Sequence, residues 1–395
     1  MPDKLSAAIG WSDSAEGGLA GKEAAGHALK RLAFVKPKLA LVFASSWLNQ
    51  SAIVHGVRSV IGTTPLAGAS TAGEIVPRGP VTQSCVVLLI ASEGLICRVG
   101  CGEGADRAPR EAGQQAAYAA MRDFGGGPRA GFLLFGDGLV SGYTDVVRGA
   151  QEVLGTSSLL VGCRAGDDLR FIETYQYCQN RVVSRAAVGA LLGGSITIGV
   201  GMEHGFAPIS TPRRITKAHA NMIDELDGQP AVSVYEEYLG PDLARRIGQE
   251  LTPQGLAYPL GIQPEPDQQW LLRNVIAFGE HGSLACNEEV SEEGSVQLMI
   301  GNRELALEAS RKAALEAIRP LNQIACVLVF NSAMRRRILG SQYAALEIER
   351  IRETVGVSVP LAGCYTYGEQ GPIGVVGHER VAVQTASVLI VALGT

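Results

Sequence analysis

Three stretches of the 395-residue chain set small residues, a glycine and a carboxylate in the same order. Residues 65–74 read PLAGASTAGE and residues 360–369 read PLAGCYTYGE, while GCRAGD at 162–167 is a copy shortened by one residue. Glycine in such a turn permits a positive φ or a close approach of backbone, and the surrounding N–H groups can cradle an anion. Glu74, Asp167 and Glu369 then present carboxylates at equivalent places. Ser70 and Thr71 precede the first, and Tyr365, Thr366 and Tyr367 precede the last, so hydroxyls and amphipathic rings stand beside the acids. The plainer reading is that Gly-Glu closes a turn and the acid caps backbone N–H groups.

Other chemistries have less footing. Asp137 and the pair Asp167-Asp168 could offer oxygen ligands to Mg²⁺ or Ca²⁺, but no EF-hand-like spacing surrounds them, so turn capping is expected and no metal site is assigned. GASTAG (68–73) misses the G-x-S-x-G nucleophile elbow by one place. GVGMEHG (199–205) has three residues rather than two before its final glycine and fails the dinucleotide fingerprint. An enzyme would need groups that meet only in space, such as Cys163 or Cys364 with a distant histidine, and no catalytic residue is assigned. The eight cysteines form no CxxC pair, and no histidine follows Cys97 and Cys101 at metal-ligand spacing. Reduced, mostly buried thiols are expected.

The elements that must position the turns repeat with them. Apolar, β-rich runs precede the turns at 37–45, 129–138 and 323–332, and follow them at 84–92, 186–194 and 386–394. Ala-rich helices are predicted over 24–32, 111–123 and 303–318, and a second set over 51–61, 143–154 and 343–355. LSAAIGWS, GLICRVGCG and SVQLMIG stand upstream as first strands. The expected fold class is therefore mixed α/β: three related strand–helix–strand–helix–strand–turn–strand units, with mixed sheets from parallel βαβ crossovers and an antiparallel strand at the end. A period near 100 residues makes each unit a subdomain rather than a solenoid repeat. The units run about 4–92, 94–194 and 295–394. Between the last two, a β-rich connector holds the strand ITIGVGM, the helix AVSVYEEYLG, the Pro-rich break GIQPEPDQ, and further strands in WLLRNVIAFGE and SLAC.

Bulk composition excludes several classes. With 46% hydrophobic and 18% charged residues the chain packs a core rather than remaining disordered. A net charge of −5 gives no general electrostatic case for nucleic acid, and Arg335-Arg336-Arg337 is too short a cluster to change that, reading as a solvated helix surface. The N-terminus lacks a signal-peptide pattern, and the apolar run 186–202 is broken by Gly193-Gly194, which suggests two strands in a hairpin rather than a membrane helix. A cytoplasmic protein without membrane insertion is expected.

The chain resembles the FIST family of bacterial sensory proteins in both its N-terminal and C-terminal parts. The resemblance rests on STAGE (70–74), GCRAGDD (162–168), MEHGFAPI (202–209), ITKAHANMIDELDGQPAVSVYEEYLG (215–240), NSAMRRRILG (331–340) and LAGCYTYGE (361–369). It implies a FIST N-terminal part over 1–228 and a C-terminal part over 229–395. It also implies an intracellular signal-input protein that binds small ligands such as amino acids, with haem in some members. Two departures stand out. Val381–Thr385 reads VAVQT where the family ends in Phe-His-Asn-Gln-Thr, so Ala382 replaces the histidine and only Gln384 and Thr385 are kept. Ser332 and Met334 stand where relatives often have Cys and Gly before an arginine pair.

On that footing a small-molecule sensor with an amino-acid-like or small-carboxylate ligand is expected. The ligand's ammonium group calls for an acid, and its carboxylate for an arginine or a turn of N–H groups. Arg335 follows a strand end and is expected to meet the carboxylate, with Tyr365 and Tyr367 as walls and Glu369 as the acid, so the C-terminal turn ranks first. Replacing Arg335 or Glu369 by alanine is expected to abolish binding and leave the fold intact. Haem as cofactor would turn attention to His204 or His378, although His204 reads first as a hydrogen-bonded structural histidine. Output is expected through a separate partner, such as a kinase, a cyclase or a chemoreceptor, or through a homodimer.

Overall fold

The computed structural model describes residues 5–249, 258–263, 270–290, 292, 294–373 and 380–395. His378 and the Pro-rich segment 264–268 lie outside the described residues. The first unit runs β1 (Ser6–Ser12), α1 (Gly17–Arg31), β2 (Leu39–Ser45), α2 (Gln50–Ile61), β3 (Leu66–Thr71), β4 (Glu74–Val76), β5 (Gly79–Val81) and β6 (Cys85–Ala91). The second repeats the order with β7 (Leu95–Glu103), α3 (Pro109–Arg122), β8 (Arg129–Gly136), α4 (Tyr143–Leu154), β9 (Leu160–Arg164), β10 (Gln176–Cys178), β11 (Arg181–Val183) and β12 (Ala186–Gly194). The predicted helices are thus present, with the first of each pair starting earlier than its alanine run suggested. The fold is mixed α/β, with three six-stranded mixed sheets.

The third unit opens with β13 (Thr197–Glu203), which pairs antiparallel with the last strand of the chain. A β-rich insertion follows: β14 (Phe206–Pro208), β15 (Arg213–His219), β16 (Met222–Leu226), β17 (Gln229–Pro230), α5 (Ser233–Leu239), α6 (Pro241–Gln249), β18 (Leu260–Gln263), β19 (Leu271–Arg273), β20 (Val275–Phe278), β21 (Leu284–Cys286) and β22 (Ser295–Gly301). The unit then resumes with α7 (Arg303–Ile318), β23 (Ile324–Ser332), α8 (Ala333–Val355), β24 (Leu361–Thr366), β25 (Gly368–Ile373), β26 (Arg380–Gln384) and β27 (Val388–Gly394). Two expectations are corrected here. SVQLMIG (β22) is not the third unit's first strand; it pairs with β14, β15 and β18 in the inserted nine-stranded sheet, and ITIGVGM takes the place instead. Nor do β12 and β13 form a hairpin. β12 pairs with β7 and β8 while β13 pairs with β27, so Gly193-Gly194 marks a passage between sheets.

In each sheet the unit's last strand inserts antiparallel between its first and second strands, and the second and third pair in parallel. The parallel pairs share one register: Val42 faces Gly68, Leu134 faces Gly162 and Val329 faces Gly363. A Cβ on any of these glycines would stand 1.9–2.0 Å from the facing carbonyl oxygen, which explains a glycine at the same point of each copy. One residue on, Phe43, Phe135 and Phe330 meet edge to face with centroids 5.8–6.0 Å apart, and the three sheets share this core. The second helices end where the sequence says they should, at Gly62, Gly155 and Gly356, all with positive φ.

The hairpin after each turn leaves its own unit. β4–β5 joins β24 of the third unit, β10–β11 joins β3 of the first, and β25–β26 joins β9 of the second. The repeated turns are the crossing points of this cyclic exchange.

Candidate functional site

At the crossing points three backbone hydrogen bonds close a ring. Gly166 N donates to Ser70 O (3.0 Å), Tyr367 N to Arg164 O (3.2 Å) and Ala72 N to Tyr365 O (2.8 Å). The acids sit just behind it and are fully or almost fully buried. Glu74 accepts from the Thr71 hydroxyl and from the hydroxyl and N–H of Ser84. Glu369 accepts in the same way from Thr366 and Ser387. Burial pushes Glu74 up to about 8 and Glu369 up to about 7, against the hydroxyl hydrogen bonds that oppose it. Asp167 accepts from the N–H groups of Phe171, Ile172 and Glu173 and from the Tyr367 hydroxyl. Ser70 donates to Gly166 O at 2.7 Å. Six of the predicted contacts, Ser70, Thr71, Glu74, Asp167, Thr366 and Glu369, therefore have protein partners, in the turn-capping manner of the plainer reading.

Arg335 is likewise spent inside. It is wholly buried and donates to Asn331 Oδ1, His204 O, Ala306 O, Ser310 Oγ and Glu347 at 2.5–3.0 Å. Asn331 and Ser310 also donate to Glu347, so the ion pair is fully hydrogen-bonded where α7 and α8 meet. Removing one partner of such a pair typically costs about 3–5 kcal/mol because the other charge stays buried alone. That environment gives Arg335 a part in packing α7 on α8, and its side chain is not among those that line the cavity at the inserted sheet. Tyr365 is also buried, with the Arg336 guanidinium 4.7 Å over its ring.

Of the predicted residues, Thr366 and Tyr367 reach an open space. A cavity of about 540 Å³ lies between the second unit, the third unit and the inserted sheet. The side away from the insertion is formed by the β8–α4 loop (138–142), Arg164, Phe171, the start of α8 and Tyr367. Tyr367 stacks on Phe171 with centroids 5.0 Å apart, and its hydroxyl accepts from Leu169 N at 2.9 Å. The insertion contributes Asn221, Asn274, Asn287, Glu288 and Glu289. Arg164 pairs with Glu288 across the gap and donates to Gly138 O (2.8 Å) and Val140 O (3.0 Å), fixing the loop. Glu289 is half-exposed, 3.2 Å from Arg148. Arg337 lines the opposite side, exposed, with no ion-pair partner among the described residues. Asn274 is buried, and its Oδ1 has no hydrogen-bond partner.

The insertion is fastened at the cavity's edge by Gln384 and Thr385. Gln384 accepts from Leu272 N (2.9 Å) and donates to Trp270 O (2.8 Å), and Thr385 donates to Leu272 O (3.1 Å). Arg273, buried, reaches back to Val383 O at 3.3 Å. Sequence reasoning missed Arg164, Glu288, Glu289 and Arg337 as cavity residues. Arg164 was visible inside the middle turn, and Arg337 inside the arginine cluster read as solvated surface. Glu288 and Glu289 carry no motif; only the fold of the insertion brings them there.

The remaining candidates are occupied. Asp137 accepts from the N–H groups of Leu139, Val140 and Arg185, and Asp168 from Ser45 and Ser46, so these acids cap turns. No cluster able to hold a metal occurs among the described residues. His204 accepts from Phe206 N at 3.0 Å, and burial beside Arg335 pushes it down to about 4, which keeps the imidazole neutral. It lies outside the cavity, and no described histidine lines the cavity, so the described lining offers no imidazole to a haem iron. Cys163 and Cys364 are buried and in contact with each other, with burial pushing the Cys364 thiol up. No described helix is long and apolar enough to cross a membrane.

Residues 38–229 match the FIST N domain and residues 231–372 the FIST C domain. An uncharacterized protein of Methanocaldococcus jannaschii is 27% identical over 214 residues, which cover 50% of this chain and 40% of that protein. An uncharacterized protein of Mycobacterium tuberculosis is 27% identical over 231 residues, covering 55% of this chain and 57% of its own. The chain thus spans about half the length of the curated relatives it matches. Among solved structures, cyanuric acid hydrolase from A. caulinodans aligns over 99% of this chain and 100% of its own, at 11% identity and a TM-score of 0.35. At that score the likeness carries no functional weight.

Proposed function

The chain belongs to the FIST family, and from that premise we propose that it is a small-molecule sensor whose ligand occupies the cavity between the second and third units and the inserted sheet. FIST domains are generally sensory domains that bind small ligands. The observation that carries this reading is the cavity's lining, which holds a free guanidinium, Arg337, together with the carboxylates of Glu288 and Glu289. An amino-acid-like or other small carboxylate ligand suits it. The ligand's carboxylate meets Arg337, and an ammonium group meets the half-exposed Glu289 and the unpartnered Asn274 Oδ1. Leu139, Val140, Met334, Tyr367 and Phe171 give the apolar wall that excludes water.

Binding here touches the repeated units and the insertion together, so an occupied cavity favours one relative arrangement of the two over others. That difference is what a separate signalling partner, such as a kinase, a cyclase or a chemoreceptor, or a second copy of the chain, would read. The test is a thermal-shift screen against amino acids and small carboxylates, repeated on Arg337→Ala and Glu289→Gln. A true ligand at a hundredfold excess over Kd should stabilise the parent by about 2.7 kcal/mol. Arg337→Ala should lose at least about tenfold in affinity for it while its own unfolding curve is unchanged, since the side chain is exposed. Equal affinity in parent and variant would place the ligand elsewhere.

A further inference from the structure

The seam between the first and second sheets carries chemistry that the cavity does not use. Cys101 lies on β7, the edge strand of the second sheet, and Cys178 on β10, in the hairpin that the second unit lends to the first sheet. Their side chains lie close enough across the seam to perturb each other's titration, Cys101 partly exposed and Cys178 buried. A second pair marks the same registration. Arg181, opposite Cys178 in the hairpin, forms an ion pair with Glu103, two residues along β7 on the face that carries Cys101. Arg58 approaches from α2 and donates to Gln179 O at 3.2 Å, next to Cys178 in sequence.

We propose that Cys101 and Cys178 form a redox-responsive thiol pair that closes to a disulfide when a peroxide-class oxidant reaches the seam. Cys178 is the attacking sulfur. The neighbouring Cys101 thiol holds it below its ordinary value, against burial, and Arg181 and Arg58 act in the same direction. Its thiolate attacks one oxygen of the peroxide; the S–O bond forms, the O–O bond breaks, and the hydroxide that leaves takes up the proton Cys178 released. The Cys101 sulfur then attacks the Cys178 sulfur. The S–S bond forms, the S–O bond breaks, and the second hydroxide leaves as water with the Cys101 proton. Two thiols are oxidised and one peroxide is reduced to two waters.

The other six cysteines are buried. Burial pushes the Cys85, Cys97, Cys286, Cys326 and Cys364 thiols up, so they serve as internal controls of low reactivity. The test treats the full chain with hydrogen peroxide, alkylates it, and maps unreduced peptides by mass spectrometry. The expected result is one cross-linked species joining the peptides of Cys101 and Cys178, with alkylation lost at both and restored by dithiothreitol. Cys101→Ser should leave a dimedone-reactive sulfenic acid at Cys178, and Cys178→Ser should leave Cys101 free. Because the parent protein alone gives the cross-link map, a variant that fails to fold does not spoil the test. Full alkylation of both thiols after peroxide, or a cross-link between other cysteines, overturns the proposal.

Discussion

Glu74 and Glu369 are carboxyls held by hydroxyl and N–H groups instead of a direct ion pair, and that sets a pH dependence. Their folded values, about 8 and about 7, lie above the ordinary 4.5. The folded state therefore binds these protons more tightly than the unfolded chain does. The stability this supplies is complete below pH 4.5 and is lost as pH rises through the folded values. His204 works in the opposite sense: its value is depressed from 6.5 to about 4, so its contribution is lost as pH falls below 6.5. The clean window is pH 6.5 to 8, where urea midpoints of the parent are expected to fall as pH rises. The Glu74→Gln/Glu369→Gln double variant should flatten that fall; parallel curves would show that neither proton matters. Arg335 differs from these acids in having a charged partner, Glu347, and it shows why residue type alone misleads. An arginine at a strand end suits a ligand or a helix pair equally well, and only the neighbours distinguish the two.

Among elements, the parallel strand pairs and α8 place glycine under different constraints. Gly162 faces Leu134 so closely that an added Cβ would meet its carbonyl oxygen at 2.0 Å. Gly340 sits in a break within α8 at φ 69°, with nothing within 4 Å of the added atom. Gly162→Ala should cost about 3 kcal/mol through forced strand separation, and Gly340→Ala about 1–2 kcal/mol through the left-handed backbone alone. Urea denaturation of the two variants ranks them, and equal costs would mean that the strand pair yields more easily than its register implies. The ends of the second helices and the alternation of strand and helix were legible in the sequence because they answer to local backbone geometry. The break at Gly340 was not, and the second helix of the third unit was predicted only from Tyr343. A solitary glycine inside a helical pattern signals a break no more clearly than it signals close packing.

For the whole molecule, the cyclic exchange of hairpins predicts cooperative folding. A chain ending at residue 228 would keep the first sheet complete, but it would deprive β4–β5 of β24, β9 of β25–β26 and β13 of β27. Such a fragment should show no cooperative unfolding transition by circular dichroism, whereas the three linked sheets of the full chain should melt as one. A sharp transition in the fragment would mean that the first two units fold without the third. Repetition itself was plain from PLAGASTAGE, PLAGCYTYGE and GCRAGD, because a duplicated turn needs the same glycine wherever strand faces strand. Helix positions, the three units and the family resemblance all follow from such local demands and were determined by the sequence alone. Where each hairpin goes, which strand opens the third unit, and which arginine stays free were decided only in three dimensions. The sheet partners exchanged between units, and an ion pair such as Arg164–Glu288, join segments more than 100 residues apart. No local pattern along the chain records which of several equally apolar edges, or several equally charged side chains, will meet.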